Sequence, residues 1–469
     1  MANSSISYHN IGISQIGFSI PQSYVDINEL AEARGIIPEK LSKGLGLKKM
    51  AVCKEDEPID VLIANALEDL WRNSANGGES LHSFLKDVDR IYLGTESAID
   101  GAKPTATYAL NTLSQRFDFD CSHIDVVDLT FACIGAVDAL HNCIDYVRLN
   151  LTRKCIVVAA DIAKYDLNSG GEYTQGAGAM ACLIENNPRL VEYSSIVGVD
   201  TKADFDFFKP LMKIKKEDIV NDITQQLNLN DDAKADLNAW LNPTESPNDG
   251  NGNEGALNGI GSIPGDYIPV MRKEPVYNGA YSNKCYKDRM GNALIRFLNQ
   301  SDSDIQNYEG WVFHLPFCYQ GRKIAIHYWF EHMLKKSEDL KDIVNQIGEV
   351  PEENSKEFAQ WLKEVSKTDK YKRFIDQRIA SGEWLSAELG NMYTASIFFS
   401  LMSFIAQSEG EQSEILQMAY GSGSKSKVFA ARITCATEAR LELKNRFQDA
   451  LKSRVKLSIG EYERIHLAY

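Results

Sequence analysis

Positive charge is in short supply in this chain of 469 residues: 50 lysines and arginines face 65 aspartates and glutamates, a formal net charge of −15. Nucleic-acid binding needs a net basic face, so nucleic acid is not an expected partner. Long apolar runs are missing as well. The most apolar stretch, Cys155–Ala163, is far too short to cross a bilayer, so no membrane partner is expected. The opening MANSSISYHNIGISQIGFSI has no basic region leading into an apolar core, so no secretory leader is expected either. The nine cysteines are scattered, without a CxxC pair or a Cys/His zinc spacing. That argues against both a disulfide framework and a metal site, and free cysteines suit a reducing, cytoplasmic compartment.

What is present is an ordinary globular composition, 44% hydrophobic and 25% charged. At about 150 residues per domain, the length predicts two or three units or one large two-lobed fold. Ile11–Ser19 alternates apolar and polar residues as a half-buried strand does, and Ile59–Trp71 carries a helical apolar stripe. Arg90–Gly94, Ile124–Asp128 and Lys154–Ala160 read as buried strands, separated by helices near Tyr108–Gln115 and Ala136–Val147. This rhythm predicts an α/β fold. Lys213–Leu241 reads as an amphipathic helical stretch, Asn242–Gly265 as an Asn/Gly-rich loop, and Tyr328 to about Ala380 as a second charged helical region.

A faint duplication is visible. Strand Ile124–Asp128, the turn Phe131–Gly135 and the helix after it match Trp384–Glu388, Leu389-Gly390-Asn391 and helix Tyr393–Gln407. Gln175–Ala179 before strand Met180–Glu185 matches Tyr420–Ser424 before strand Lys427–Ile433. Two matching halves predict a site at their junction.

Cys133 sits where a strand turns into a helix, between small residues, and a thiol at a helix start feels the positive end of the dipole. A buried structural cysteine is the alternative, and it is the reading for Cys143, Cys155 and Cys182. His314 ends an apolar strand before a Pro-broken turn, and Glu96 directly follows an apolar strand, where a carboxylate is costly unless paired or functional. Asp100 and Asp161 are similar strand-end acids, whereas His327 and His332 read as structural. Neither Gly176-Ala-Gly178 nor Gly421-Ser-Gly-Ser424 fits a P-loop or a dinucleotide fingerprint, though the second could offer N–H groups to an oxyanion. A thiol, a carboxylate, a histidine and a second-half asparagine suit thioester carbon–carbon bond formation.

These residues carry a family likeness. Tyr24–Arg34, Gly44–Met50, Gly94-Thr-Glu-Ser97, Ala132-Cys-Ile-Gly-Ala136, Asp161–Tyr165 and Gly170–Gly178 come first in order. Asp206–Pro210, Tyr281–Tyr286, His314-Leu-Pro-Phe317, Gly390–Thr394 and Tyr420-Gly-Ser-Gly423 follow. In this ordered set the chain resembles the hydroxymethylglutaryl-CoA synthases of the thiolase superfamily. The resemblance implies a layered αβαβα fold of two similar halves: residues 1–200 with the nucleophile, 278–469 with the histidine, asparagine and glycine-rich turn, and an inserted helical and flexible segment at 211–277.

It also implies that Cys133 accepts an acetyl group, Glu96 is the acid/base and His314 holds the acceptor. Asn168, Thr174, Ser282, Lys323, Asn391 and Ser422 are implied as substrate contacts. Implied further are acetyl-CoA and acetoacetyl-CoA as substrates, no separate cofactor or metal, a homodimer, and a place in the mevalonate route to isoprenoids. An acyl carrier protein is a second partner to weigh, because relatives act in polyketide β-branching on carrier-bound thioesters. A related ketoacyl-synthase-like condensation, or a non-enzymatic acyl-binding subunit, are the further alternatives. Three features depart from the family: Ile134 and Tyr319 stand where a tyrosine and a lysine are usual, and Leu211–Tyr277 is longer than in bacterial forms.

Overall fold

Alternating and continuous apolar runs become the strands of one nine-stranded sheet. They are β1 (Tyr8–Ser19), β2 (Arg90–Gly94), β3 (Asp125–Leu129), β4 (Cys155–Ile162), β5 (Ala177–Asn186), β6 (Val191–Thr201), β7 (Gly310–Phe313), β8 (Ser413–Gly421) and β9 (Lys425–Ile433). The computed structural model describes residues 8–74, 80–241, 266–271, 273–353, 355–408 and 413–468. The chain up to Phe207 and from Tyr277 onward forms one compact unit, and Phe208–Val276 forms another.

The strand order is β7-β8-β9-β6-β1-β5-β4-β2-β3. In the first half β5 runs antiparallel to β1 and β4, and β4 parallel to β2. In the second half β9 runs antiparallel to β6 and β8, and β8 parallel to β7. The pairing sequence is the same in both, and the halves join where β1 meets β6 antiparallel. Among the helices of this unit are α1 (Ile59–Arg72), α2 (Thr105–Arg116), α3 (Gly135–Leu149), α4 (Gly279–Ser301), α5 (Gln320–His332), α6 (Trp384–Leu389) and α7 (Ser396–Gln407).

Strand alternation sorts the helices into layers. Cys155, Val157 and Ala159 of β4 and Phe429, Ala431 and Ile433 of β9 enter one central core with α3 and α7. The intervening Ile156, Val158 and Ala160 face α1 and α2, and Val428 and Ala430 face α4 and α5. The layers therefore run helix, sheet, helix, sheet, helix, as in thiolase-like folds. Helix α7, apolar on all sides, is buried over nearly its whole length, as a central helix must be.

Two expectations need correction. Trp384–Glu388 is not a strand but lies in α6, because Leu385 and Leu389, four apart, both face the core. The second half accordingly has no counterpart of β3. The stretch Lys213–Leu241 is not helical throughout: Leu211–Lys215 pairs antiparallel with Tyr267–Met271, and two helices follow, Lys216–Gln226 and Asp231–Leu241. Within that smaller unit the Lys216 ammonium is buried and donates to Leu241 O at 2.6 Å. Asn242–Gly265 lies outside the described residues.

One close approach places the helix that follows Cys133. A Cβ on Gly94, the last residue of β2, would stand 2.0 Å from Ala136 N, and one on Gly135 would stand 2.5 Å from Leu129 O. Helix α3 thus starts directly against the ends of β2 and β3. Gly94→Ala should push that helix start away and destabilise the fold by about 1–3 kcal/mol, the usual cost of overpacking. A denaturant midpoint equal to the wild type's would contradict this.

Candidate active site

The turn from β3 into α3 carries Cys133. Ala132 has φ of +39°, a strained conformation for a residue with a Cβ, immediately before Cys133. Cys133 is buried, and its Sγ lies 3.7 Å from Glu96 Oε1, donating toward it. The second N–H of α3 is not capped by its own segment: Ala136 N donates to Thr394 Oγ1 at 2.8 Å, from the other half.

Glu96 is held by Asp161, the acid at the end of β4. The Asp161 side chain is wholly buried, and its Oδ1 accepts from Glu96 N (2.8 Å), Thr95 Oγ1 (3.0 Å) and Ser97 Oγ (2.8 Å). Its Oδ2 accepts from Thr394 N at 3.0 Å. Asp161 is thus a positioning residue, while Asp100 lies away from the site and bonds Tyr108 OH and the N–H groups of Ala102 and Lys103. Those bonds lower the Asp100 carboxyl to about 2.

His314 follows β7 just as Glu96 follows β2. It is fully buried, and neither ring nitrogen has a hydrogen-bond partner among the described residues. Burial lowers it to about 3, so the ring is a neutral imidazole with one donor and one acceptor to offer. Tyr286 OH donates to its carbonyl at 2.8 Å and fixes the segment.

Asn391 comes from the segment before α7. Its Oδ1 accepts from Tyr393 N (2.9 Å) and Ser396 Oγ (3.0 Å), which leaves the amide NH₂ as the group available to a ligand. The first glycine turn serves this placement: a Cβ on Gly176 would stand 2.3 Å from Leu389 O, and Asn391 N donates to Thr174 O at 2.8 Å. The second turn does not offer the oxyanion donors expected of it at Gly423 and Ser424, since those N–H groups are given to Asp206 Oδ1 and Lys202 O.

Cys133, His314, Asn391, Thr174, Ser282 and Ser422 line one cavity of about 650 Å³. Glu96 stands against Cys133 rather than on the cavity wall. Asn168 and Lys323 do not line it. Asn168 is exposed in a neighbouring cleft beside Arg34 and Glu172, and Lys323 lines a second cavity. Ile134 does not line it either: its side chain is buried against Gly421, so the missing tyrosine leaves no gap in the cavity wall.

The sequence reading passed over the aromatic wall formed by Tyr165, Phe207, Tyr277, Tyr286 and Tyr420. Burial, then the charges of Cys133 and Glu96, push the Tyr165 phenol well above its ordinary value, so it stays a neutral donor. Tyr165, Tyr286 and Tyr420 fall inside the family-like motifs, the one signal that could have marked them.

A layered fold of two like halves, with thiol, carboxylate and imidazole at their junction, defines a thiolase-like condensing protein. Comparison with known proteins narrows this. The family described as "Hydroxymethylglutaryl-coenzyme A synthase N terminal" matches residues 7–188, and the corresponding C-terminal family matches residues 267–467. The chain belongs to the hydroxymethylglutaryl-CoA synthase family. It is 27% identical to the hydroxymethylglutaryl-CoA synthase of Haloferax volcanii, over 97% of this chain and 91% of that one. It is 25% identical to the protein named "Hydroxymethylglutaryl-CoA synthase, cytoplasmic" from Gallus gallus, over 91% and 72%. Among solved structures, "MvaS in complex with 3-hydroxy-3-methylglutaryl coenzyme A" superposes with a TM-score of 0.71 at 23% identity, covering 97% of this chain and 91% of that one. The Curacin pathway HMG synthase in complex with acetyl donor-ACP superposes with a TM-score of 0.70 at 17% identity, covering 97% and 88%. Both structures share the fold.

The depressed His314 pKa makes a stability prediction. The unfolded histidine titrates near 6.5 and the folded one near 3, so between those values the unfolded chain binds the extra proton. Stability should fall as pH drops from about 6.5 toward 3, with a total of a few kcal/mol assignable to this ring. His314→Asn should flatten that acid slope in denaturation measured from pH 7 to 4; an unchanged slope would show that the ring is not buried neutral.

Proposed function

We propose that this chain condenses acetyl-CoA with an acetoacetyl thioester to give a 3-hydroxy-3-methylglutaryl thioester, through an acetyl group carried on Cys133. The observation that carries this is the 3.7 Å contact between Cys133 Sγ and Glu96 Oε1, with neutral His314 in the cavity that Cys133 opens into. Cys133 attacks the acetyl thioester, the thiol proton passes to the departing CoA sulfur, and a new thioester forms. Glu96 then takes a proton from the acetyl methyl group, now beside the carboxylate. The resulting carbanion attacks the ketone carbon of the acceptor.

Charge develops on the acceptor oxygen, where the N–H of His314 and the Asn391 NH₂ can donate. A neutral donor held without water suits this step, because its hydrogen bond strengthens as the charge grows. Glu96 returns its proton to that oxygen, and water cleaves the Cys133 thioester to release a carboxylate and restore the thiol. The aromatic wall keeps bulk water from the carbanion.

A homodimer and a cytoplasmic location belong to the same reading, the second supported by relatives named cytoplasmic; sedimentation of the purified chain tests the first. Cys133→Ala should abolish labelling by radioactive acetyl-CoA, with the label otherwise mapping to the Cys133 peptide alone among nine cysteines. Glu96→Ala should still acquire the label but lose condensation by about 10²–10⁴-fold, the usual contribution of a positioned base. Label on a different cysteine, or near-normal condensation by Glu96→Ala, would sink the assignment.

A further inference from the structure

One wall of the catalytic cavity is the segment Tyr165–Gln175, in which Tyr165, Gly170, Gly171, Tyr173 and Thr174 line the cavity. Its only regular element is the short 3₁₀ turn Glu172–Thr174, and Asn168 has φ of +61°. Gly171 lets the segment fold on itself, since a Cβ there would stand 2.3 Å from the Tyr165 ring. A stretch this irregular keeps one shape only if side chains take up its backbone groups.

Two buried side chains of the segment do so, Glu172 and Gln175. Glu172 Oε2 accepts from Asn168 N at 2.8 Å, and Gln175 Oε1 accepts from Tyr165 N at 2.6 Å. A backbone N–H can only donate, so the Gln175 amide is turned with Nε2 outward, and Nε2 donates to Tyr462 OH at 2.9 Å. Glu172 is gripped by the fork of Arg34, whose Nε donates to Oε2 at 2.9 Å and whose Nη2 donates to Oε1 at 2.7 Å. The third nitrogen of Arg34, Nη1, stands 2.7 Å from Glu463 Oε1. Tyr462 and Glu463 are neighbours on the helix Ile459–Ala468. One helix thus reaches both ends of the segment, and Leu167 and Tyr173 pack against the same apolar cluster as Tyr462. Burial, then the charge of Glu172, push the Tyr462 phenol far above its ordinary value, so it stays a neutral hydroxyl that accepts from Gln175.

Neither Tyr462 nor Glu463 lines the cavity, so whatever they do to a ligand passes through the segment they hold. We propose that Tyr462 and Glu463 are positioning residues: through Gln175 and through the Arg34–Glu172 fork, they keep the wall Tyr165–Gln175 in the shape that seats an acyl thioester. The inference rests on the condensation reading above. The reacting groups are anchored elsewhere, Glu96 by Asp161 and the helix after Cys133 by Thr394, so the wall can loosen without moving them. A loosened wall weakens the hold on substrate and transition state alike, which raises KM and spares kcat.

The test compares the full chain with a Tyr462→Phe/Glu463→Ala double variant. Hydrogen exchange read by mass spectrometry needs no turnover. Peptides covering residues 165–175 should exchange at least about tenfold faster in the variant, while those from β5 exchange as in the wild type. In steady-state assays KM for acetyl-CoA and for acetoacetyl-CoA should rise about tenfold, the scale of two lost hydrogen bonds, with kcat altered less than about twofold. Equal exchange over residues 165–175 overturns the proposal, as does an unchanged KM. Faster exchange in β5 as well also overturns it, marking a general loss of stability in place of a local hold. Failure of the functional reading looks different: the segment loosens in the variant as expected, yet the wild type acetylates no cysteine and forms no condensation product. Should the double variant not fold, Glu463→Ala alone, at a part-exposed position, gives the same exchange measurement at the Asn168 end.

Discussion

One buried carboxylate constrains the whole site. A carboxylate side chain without access to water is tolerable only if donors surround it, and four groups donate to Asp161 among the described residues. Three come from the segment that carries Glu96, and the fourth is the N–H of Thr394, whose hydroxyl caps the helix behind Cys133. Glu96, the helix that follows Cys133 and the Asn391 segment are therefore referred to one point. Leaving a buried polar group of this kind short of a partner costs about 1–3 kcal/mol, which opposes independent drift of the three. The 3.7 Å separation of thiol and carboxylate is a consequence of that shared anchor.

The duplicated pairing pattern explains why the chemistry collects where it does. Equivalent strands β2 and β7 each end in a chemical group, Glu96 in one half and His314 in the other. Equivalent helices α3 and α7 are each preceded by one, Cys133 and Asn391. Antiparallel joining of β1 to β6 brings these four ends together, with Cys133, His314 and Asn391 on the wall of one cavity and Glu96 against Cys133. The halves differ in chemistry: the first holds a carboxylate, while the second holds an imidazole that has no hydrogen-bond partner among the described residues and is kept neutral by burial.

Much of this was legible in the sequence because it is local. The alternating run at Ile11–Ser19 predicts β1, and short β-branched runs predict β2 and β4, each to within a few residues; small residues around Cys133 mark the turn. The error at Trp384–Glu388 has a physical source: a five-residue apolar run fits a strand or a helix, and only packing of Leu385 and Leu389 against the core decides. The start of Lys213–Leu241 was misread because lysines at 213 and 215 hide the alternation of Met212 and Ile214. The aromatic wall was not legible, since Tyr165, Tyr286 and Tyr420 are far apart in sequence and meet only through the fold. Nor was the hub role of Asp161, whose partners span residues 95 to 394.

Each half also breaks at the same place, the crossover between its first strand and first helix. In the first half the intervening chain, from Ile20 to Pro58, supplies Leu45 to one cavity and Lys43 to the next. In the second half the intervening chain leaves the cavity wall at Phe207, forms the separate unit Phe208–Val276, and returns at Tyr277 and Asn278. Neither crossover contributes the thiol, the acid/base, the imidazole or the carboxylate hub. Selection on what the protein accepts and selection on how it reacts therefore fall on different stretches of chain, and a lineage can lengthen one without retuning the other.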